Sequence, residues 1–534
     1  MRCIENISIQ TLSFLVCLKK IKLMSICLLA PAMTLALSAC AQLPSDNNRI
    51  ESYALKQTDN TMLGQSLAPL LAQHPELSGF NMLSRGLDAL AARIALIQHA
   101  QRTLDLQYYI WHDDLTGRLL HNRLLDAADR GVRIRLLLDD LDTAGKEDTL
   151  FALNAHPNIE IRLYNPFKYR KTRAMDFIVR PFRVNDRMHN KALIPDNQAV
   201  IIGGRNIGNE YFSVTKEVAF NDLDVLAAGG VVNDVSASFD QYWNSPLVLS
   251  LAAFVPDNQN KEDALQALRL RSAKHLKEAQ QSRFSASLKN TRILQYATPS
   301  ELPITWSRWL FISDDPSKPD ANNIASGKFL APDLKRAFDL TTKDLIIVSP
   351  YFVPGDVIKD YLIKKVASGV RVRILTNSLA ATDVSMVYAG YMDYRKDLVN
   401  GGIELYEFKA TQSSEEKQKY GWVGSSHSSL HAKSFAFDER FVFIGSFNLD
   451  PRSISLNTEQ GVYFESPAFT QTFSQTFDQQ ILHVAYRLSL DDDDLVWTTV
   501  ENGNLVHFDK EPDTNWWKRF STHIMSFIVP ESLL

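Results

Sequence analysis

The fold of this chain is decided by a stretch that occurs twice, as MHNKALIPD at residues 188–196 and as LHAKSFAFD at residues 430–438. In each copy a lysine lies two residues after the histidine and an aspartate seven residues after it. Asn206 and Asn448 follow their histidines at the same distance of seventeen residues. A short alternating segment, a group of turn-forming residues and an apolar run predict a β-hairpin in each copy. Side chains two apart on a strand point to one face, so we expect histidine and lysine to lie side by side.

The surroundings of the two stretches also repeat. Apolar spacing predicts helix, strand, helix and strand before the first stretch, at residues 87–100, 103–111, 115–130 and 132–138. Before the second stretch it predicts a strand, a helix and a strand, at residues 345–349, 355–368 and 369–375. We interpret the halves as an internal duplication at a spacing of about 240 residues. That spacing suits two similar α/β domains packed face to face.

Length and composition agree with a globular, multidomain protein, since the 534 residues are 45% apolar and 22% charged. The net charge of −4 disfavours a protein that coats nucleic acid, which needs a basic excess against phosphates. We predict a helical and loop connection between the domains, with residues 300–327 as a loop. The predicted segments are a signal peptide at 1–40, a tether at 41–80, a first domain at 81–257, the connection at 258–327, a second domain at 328–500 and an amphipathic tail at 501–534.

The N-terminus has the pattern of an export signal. All four cysteines lie within the first forty residues, so the body has neither disulfides nor thiolate metal sites. Three lysines precede an apolar segment, 24–37, whose length suits a signal-peptide core. The segment ends in LSAC at 37–40, which resembles the lipobox of bacterial lipoproteins. We expect lipidation at Cys40 and a location in the bacterial cell envelope, facing the periplasm; an uncleaved anchor helix and cleavage at another small residue are the alternatives.

The paired motifs carry residue types that suit phosphoryl-type transfer. A histidine can act as nucleophile or as general acid and base near neutral pH, and a lysine supplies a positive charge. If the two sets face each other, His189 and His431 flank one phosphorus while Lys191 and Lys433 hold its non-bridging oxygens. One histidine then attacks in line and the other handles the leaving and incoming alcohols. The arrangement requires no metal and no cofactor, and lysine is a poor ligand for zinc.

Each histidine needs a carboxylate behind its other ring nitrogen. We expect Glu459 to serve the histidine of the second half. For the histidine of the first half we prefer Asp222 over Asp224, which lies on the same strand face and closer to an apolar run. Asp196 and Asp438 stand at the hairpin turns, where we expect them to cap the turn and not to touch substrate.

The paired hairpins resemble the His-x-Lys-x4-Asp motifs of the phospholipase D superfamily. The continuation of the second copy through residues 445–459 is similar to bacterial cardiolipin synthases, and the lipoprotein-like leader to the cardiolipin synthase C-like subgroup. The resemblance implies two α/β domains, with mixed sheets flanked by helices, packed as a pseudo-dimer around one shared active site. It also implies a phosphohistidine intermediate, with His189 as nucleophile and His431 as acid and base. Gly204, Ser446 and Arg452 are assigned to substrate binding.

For this family the resemblance implies phospholipid substrates at a membrane. A phosphatidyl group would pass from one phospholipid, either phosphatidylglycerol or phosphatidylethanolamine, onto phosphatidylglycerol. A hydrolytic phospholipase D would use the same residues with water as acceptor, and the sequence separates the two poorly. A nuclease and a non-catalytic lipid-binding lipoprotein are further alternatives. Near the C-terminus, aromatic, basic and apolar residues at 516–529 suit either an interfacial helix on a bilayer or a helix docked on the core.

Overall fold

The computed structural model describes residues 43–47, 49–214, 219–255, 260–280, 283–296, 301–318, 329–410 and 428–531. The predicted signal peptide and Cys40 lie outside these ranges. Two compact units are present among the described residues: 43–47 and 167–184 belong to one, and those from 49–166 and from 185 onwards belong to the other. Both halves of the duplication therefore lie within the larger unit.

The larger unit contains twenty-one strands among its described residues. Ten precede the second half: β1 (Ser78–Leu83), β2 (Thr103–Tyr108), β3 (Arg133–Asp139), β4 (Ile159–Tyr164), β5 (Ala192–Pro195), β6 (Ala199–Gly203), β7 (Ala219–Asn221), β8 (Asp224–Gly229), β9 (Val248–Ser250) and β10 (Thr305–Ser307). The others are β11 (Trp309–Ser313), β12 (Asp344–Val348), β13 (Arg371–Asn377), β14 (Glu404–Phe408), β15 (Ser428–Leu430), β16 (Ser434–Phe437), β17 (Phe441–Gly445), β18 (Gln460–Glu465), β19 (Ala485–Asp491), β20 (Asp494–Glu501) and β21 (Asn504–Phe508).

The strand orders of the two large sheets confirm the duplication. One sheet has the order β10-β1-β8-β6-β5-β2-β3-β4-β9, and the other has β11-β18-β17-β16-β12-β13-β14-β19-β20-β21. The run β8-β6-β5-β2-β3-β4 corresponds strand by strand to β18-β17-β16-β12-β13-β14. Both sheets are mixed, because β2, β3 and β4 pair in parallel, as do β12, β13 and β14, while the hairpin strands are antiparallel.

Helices flank the sheets. Those of the described residues are α1 (Met62–Gln73), α2 (Gly86–His99), α3 (Leu115–Asp129), α4 (Glu147–Asn154), α5 (Ala174–Val179), α6 (Pro181–Val184), α7 (Gly230–Trp243), α8 (Lys261–Gln280), α9 (Arg283–Lys289), α10 (Leu330–Leu340), α11 (Gly355–Ala367), α12 (Ser385–Met392), α13 (Arg395–Asn400), α14 (Pro451–Ser455), α15 (Pro467–Gln479), α16 (Ile481–Val484) and α17 (Trp516–Ile528). None of these described helices has both the length and the apolar composition needed to cross a bilayer. In the smaller unit, α5 contributes Asp176, which accepts from the backbone of Tyr169 and pairs with Arg180.

Equivalent glycines end the equivalent helices α3 and α11. Gly131 has φ +92° and Gly369 has φ +93°, a left-handed conformation that side-chain-bearing residues rarely adopt. The following residue donates back into the last turn in both cases, from Val132 to Ala127 and from Val370 to Lys365, at 3.1 Å each. This closing arrangement is a common way to satisfy the last carbonyls of a helix, and it directs each chain into the next parallel strand.

The two sheets share a core. Phe80 of β1 stacks on Phe464 of β18 with ring centroids 4.0 Å apart, and Ile202 of β6 lies in the same apolar cluster as Ile444 of β17. The small parallel pair β7–β15 joins the halves a second time. The predicted pair of α/β domains around a common interface is therefore confirmed.

Two sequence expectations need correction. Residues 300–327 were expected to form a loop, yet β10 adds to the edge of the first sheet and β11 to the edge of the second. Their strand pairing comes from sheet edges far away in sequence, which no local pattern reveals. The hairpins form as predicted, but His189 and Lys191 precede β5, and the matching pair precedes β16, so neither pair is part of a strand.

Candidate active site

The first histidine is held by the second half of the chain. His189 is buried, and its Nδ1 lies 2.9 Å from Glu459 Oε2 and 3.1 Å from the carbonyl oxygen of Ser446. Its backbone N–H donates to the carbonyl of Thr458 at 2.9 Å. The carboxylate of Glu459 is itself fixed, because the hydroxyls of Ser446 and Ser453 both donate to it. His189 Nε2 is thus the ring nitrogen left for chemistry.

The second histidine is held by the first half in the same way. His431 Nδ1 lies 2.5 Å from Asp222 Oδ2, and its backbone N–H donates to the carbonyl of Asn221 at 2.7 Å. The rings of Phe220 and Tyr211 pack on it, with centroids 5.1 and 5.2 Å from that of the imidazole.

The expectation that each carboxylate serves the histidine of its own half is therefore wrong. Glu459 orients His189 and Asp222 orients His431, so the pairs cross between the halves. The backbone contacts explain the exchange: Thr458 runs beside the first motif and β7 pairs with β15 just before the second. Asp224, the weaker candidate, pairs with Arg93 at 2.8 Å deep in the first half and does not reach a catalytic histidine.

Burial dominates the electrostatics of the two histidines. Removal from water lowers the pKa of His189 to about 4 although Glu459 opposes it, and burial with Lys433 lowers the pKa of His431 well below its usual value. His189 is therefore neutral at pH 7, the form that a nucleophile requires. Burial alone would raise the pKa of Glu459, but the nearby His189 and Lys191 outweigh this effect and lower that pKa. Burial raises the pKa of Asp222.

The two lysines occupy matching places. Lys191 Nζ donates to the carbonyl of His189, and Lys433 Nζ donates to the carbonyl of His431. Burial lowers the pKa of Lys191 well below its usual value and that of Lys433 to about 8. The charge of Lys433 also lowers the pKa of Lys191, and a bound phosphate would offset this repulsion.

The two asparagines differ in their partners. Asn206 is fixed at both ends, since its Oδ1 accepts from the backbone of Ile110 at 3.2 Å and its Nδ2 donates to the hydroxyl of Tyr211 at 3.0 Å. Asn448 is buried as well, but its Oδ1 has no hydrogen-bond partner among the described residues. An unsatisfied buried acceptor beside the site is available to a substrate hydroxyl.

The three predicted substrate-binding residues are placed differently. Ser446 binds Glu459, as above. Gly204, its equivalent in the first half, leaves room for a carboxylate, because a Cβ there would come within 2.2 Å of Asp222 Oδ1. Arg452 donates to the carbonyl of Asn185 at 2.9 Å. Their roles toward substrate remain predictions.

The motif aspartates hold the scaffold. Asp196 accepts from the backbone N–H groups of residues 101–103, at the start of β2. Asp438 does the same for residues 342–344, at the start of β12. Both stand at the first of two left-handed residues in the hairpin turn. Each therefore ties its hairpin to the neighbouring strand, away from the histidines.

Sequence reasoning missed the support behind Glu459. Asp314 accepts from the backbone N–H of Glu459 at 2.9 Å, donates its own N–H to the carbonyl of that residue at 2.9 Å, and pairs with Lys318 at 2.8 Å. Lys318 in turn donates to the carbonyl of Ser453. Burial raises the pKa of Asp314 to about 6. The pair lies in the stretch expected to be a loop, and no motif spacing marks it.

One group of described side chains has the composition of a metal site. Ligand atoms of His112, Asp114 and Glu210 lie within 4.8 Å of one another. Both oxygens of Asp114 accept backbone hydrogen bonds, from Gly117 and Asn209, and His112 Nδ1 lies 3.0 Å from Glu210. These contacts give the three residues a structural role, and the histidine chemistry above does not involve them.

Comparison with known proteins agrees with this geometry. Residues 94–243 and 334–481 match the family described as "Cardiolipin synthase, PLD-like domain". The chain is 41% identical over 479 residues to cardiolipin synthase C of Escherichia coli (strain K12), an alignment that covers 88% of this chain and 99% of that protein. It is 33% identical over 483 residues to an uncharacterized protein of Helicobacter pylori (strain ATCC 700392 / 26695), covering 88% and 92%.

A solved structure shares the fold. Phosphatidylserine synthase of Haemophilus influenzae Rd KW20 superposes with a TM-score of 0.54 at 14% identity. The match covers 88% of this chain and 99% of that chain. The two-sheet architecture thus extends over nearly the whole length of both proteins.

Proposed function

The chain belongs to the phospholipase D superfamily and, within it, to the cardiolipin synthase family with a PLD-like domain, and from this premise we propose that it makes cardiolipin. The acceptor is phosphatidylglycerol, and the donor is a second phospholipid, either phosphatidylglycerol or phosphatidylethanolamine. The reaction is a phosphatidyl transfer through a covalent phosphohistidine. The crossed pairing of two buried histidines with carboxylates of the opposite half carries this proposal.

In the first step His189 Nε2 attacks the phosphorus of the donor. A P–N bond forms and the P–O bond to the head-group alcohol breaks. His431 enters this step as an imidazolium, a form favoured by Asp222 and by the bound phosphate anion, and it delivers its Nε2 proton to the departing oxygen. Glu459 stabilises the positive charge that develops on the His189 ring, which fits the lowered pKa of this carboxylate. Lys191 and Lys433 offset the negative charge on the non-bridging oxygens.

In the second step His431 accepts a proton from a hydroxyl of the phosphatidylglycerol head group. That oxygen attacks the phosphorus, the P–N bond breaks, and His189 returns to its neutral state. Protons balance over the cycle, so only the head-group alcohol is released. The unpaired Asn448 Oδ1 is suited to accept a hydrogen bond from a hydroxyl of the glycerol head group.

Product analysis by mass spectrometry tests the proposal. Detergent-solubilised protein is incubated with phosphatidylglycerol, with and without phosphatidylethanolamine. We expect cardiolipin from the wild type, none from His189→Ala or His431→Ala, and wild-type yield from His99→Ala, an exposed histidine on α2. Phosphatidic acid without cardiolipin would identify water as the acceptor and refute the synthase proposal.

A trapping experiment tests the roles of the histidines. The His431→Ala variant lacks the group that activates the acceptor, so brief incubation with donor lipid should leave a phosphatidyl adduct on His189. Peptide mass spectrometry after rapid quenching locates the adduct. If an adduct forms on His431 in the His189→Ala variant and none forms on His189 in the His431→Ala variant, the two histidines have the opposite roles.

We also propose that α17 attaches the enzyme to the bilayer surface. Trp516, Trp517, Phe520 and Phe527 are among its six exposed apolar side chains, while its other side packs near α12. Such a helix lies in the interface with its apolar face among the lipids. Trp516→Glu with Trp517→Glu should abolish flotation of the full-length Cys40→Ser protein with anionic vesicles. The matched change Leu505→Glu, at an exposed position on β21, should leave flotation unchanged.

For localisation we propose a lipoprotein of the bacterial cell envelope that faces the periplasm. The support is the lysines, apolar core and LSAC sequence of residues 19–40. Mass spectrometry of the mature N-terminal peptide should show a lipidated Cys40, and Cys40→Ala should block processing. An unmodified N-terminus on membrane-bound protein would contradict lipidation.

A further inference from the structure

An apolar groove opens between two helices of the second half. Its walls are α10, with Ala331 and Leu334, and α11, with Val357 and Ile358, and its floor includes Phe447. Its volume is about 360 Å³. Val357 at its rim is 84% exposed, which is unusual for a valine on a folded domain.

The chemistry of the lining excludes a polar ligand. Ten of the twelve lining residues are apolar, and the exceptions are Lys335 and Tyr361. The polar ends of both bind Asp339, at 2.7 and 2.8 Å. Pockets for polar small molecules have a few convergent polar groups that fix orientation, whereas this groove directs none inward. Its surface fits an aliphatic chain.

The floor of the groove is the backbone of the active site. Phe447 and Leu449 line the groove, and the buried Asn448 stands between them in the chain. Ile454 of the floor belongs to α14, two residues after Arg452. The groove therefore lies against the segment that carries Asn448, next to the place where the phosphate of a substrate would lie.

The groove also adjoins the surface assigned to the bilayer. Glu531, just beyond α17, accepts from the hydroxyl of Tyr394 at 2.6 Å, and its Oε1 lies 3.2 Å from a Cβ placed at Gly355, the first residue of α11. Val357 is two residues further on. The segment that follows α17 therefore lies against the start of α11, the helix that forms one wall of the groove.

We propose that this groove holds one acyl chain of a phospholipid substrate while the phosphate of that lipid lies between His189 and His431. The inference rests on the proposed lipid chemistry and adds the place where a hydrocarbon tail is bound. The polar composition of residues 319–328, which precede α10, makes that segment a poor occupant of an apolar groove.

The test compares acyl chain lengths. Initial rates of phosphatidylglycerol consumption are measured in mixed micelles for dihexanoyl and dioleoyl lipid, with wild type, Ala331→Trp, which fills the groove, and Val357→Asp, which makes its rim polar. We expect the ratio of long-chain to short-chain kcat/KM to fall at least tenfold in both variants. Leu270→Asp, at a similarly exposed position on α8, should keep the wild-type ratio.

A second measurement reads binding without turnover. Phosphatidylglycerol with a photoreactive acyl chain is cross-linked to the His189→Ala protein, and the adducts are mapped by mass spectrometry. We expect them in α10 and α11, and we expect Ala331→Trp to remove them. An unchanged ratio, an equal loss with both chain lengths, or adducts elsewhere would overturn the proposal.

Other occupants give different results. If the groove contacts the bilayer surface, Val357→Asp should reduce vesicle flotation and leave the chain-length ratio unchanged. If a second copy of the chain occupies the groove, Val357→Asp should change the molar mass measured by light scattering. Either result overturns the acyl-chain assignment. If the wild type forms phosphatidic acid and no cardiolipin, the proposed function fails, yet the chain-length ratio still tests the groove.

Discussion

The crossed pairing can be tested by changing Glu459 to glutamine. This substitution keeps the shape of the side chain but removes its charge. In the structure the carboxylate accepts from His189 Nδ1, Ser446 and Ser453. A neutral amide can replace only part of these bonds, since one end of it is a donor facing other donors.

The expected magnitude follows from burial. Glu459 and His189 are both buried, and loss of one partner of a buried pair costs about 3–5 kcal/mol. We assign about 3–4 kcal/mol of this to the transition state, where the ring becomes cationic, which corresponds to a fall in kcat of about 10²–10³-fold. Glu459 opposes the effect of burial on His189, so its removal should also shift the pKa of His189 below its value of about 4.

The assay combines kinetics with NMR of the histidine side chains. Cardiolipin formation gives kcat, and titration of ¹⁵N-labelled histidine gives the pKa of each ring, assigned with His189→Gln and His431→Gln. Glu459→Gln should change the signals of His189 and leave those of His431 in place. The matched control is Glu465→Gln at the end of β18, the strand that begins directly after Glu459, where the carboxylate pairs with Arg440 at the surface.

If Glu459→Gln changes the His431 signals and leaves those of His189 unaltered, each carboxylate serves the histidine of its own half. A kcat within about threefold of wild type would show that the charge contributes less than about 1 kcal/mol to the transition state.

Three further predictions concern pH and stability. Burial lowers the pKa of Lys433 to about 8, so this lysine loses its proton as pH rises through 8. The value of kcat/KM, which reports the free enzyme, should therefore fall above that pH. A flat profile of kcat/KM up to pH 10 would contradict this role of Lys433. Asp314→Asn leaves Lys318 buried without a counter-charge and should lower the free energy of unfolding, measured by urea denaturation, by about 3–5 kcal/mol. A loss of less than about 1 kcal/mol would show that the ion pair is dispensable. Asp196→Ala removes the acceptor of three backbone N–H groups and should lower the free energy of unfolding by about 2–4 kcal/mol. The loss should be larger than for Asp438→Ala, because Asp196 is more deeply buried. Equal losses in the two variants would show that burial is not the cause.

Local pattern was sufficient for much of the fold. The helix expected at residues 115–130 runs from Leu115 to Asp129, because Asp114 caps its start and Gly131 ends it. The hairpins follow from turn residues that tolerate left-handed backbone, such as Asp196 and Asp438. Strands β10 and β11 could not be predicted in this way, since each is stabilised by a sheet edge that the chain reaches only after folding.

The sequence by itself determined the duplication, the two hairpins and the set of histidines, lysines and carboxylates, because spacing and periodicity are local properties. Only the tertiary structure decided that Glu459 faces His189 and that Asp222 faces His431. Partner choice depends on how the halves dock, through the shared core and the pairing of β7 with β15. The support of Glu459 by Asp314 and the groove behind Asn448 arise from the same docking and packing, which bring together residues more than a hundred positions apart.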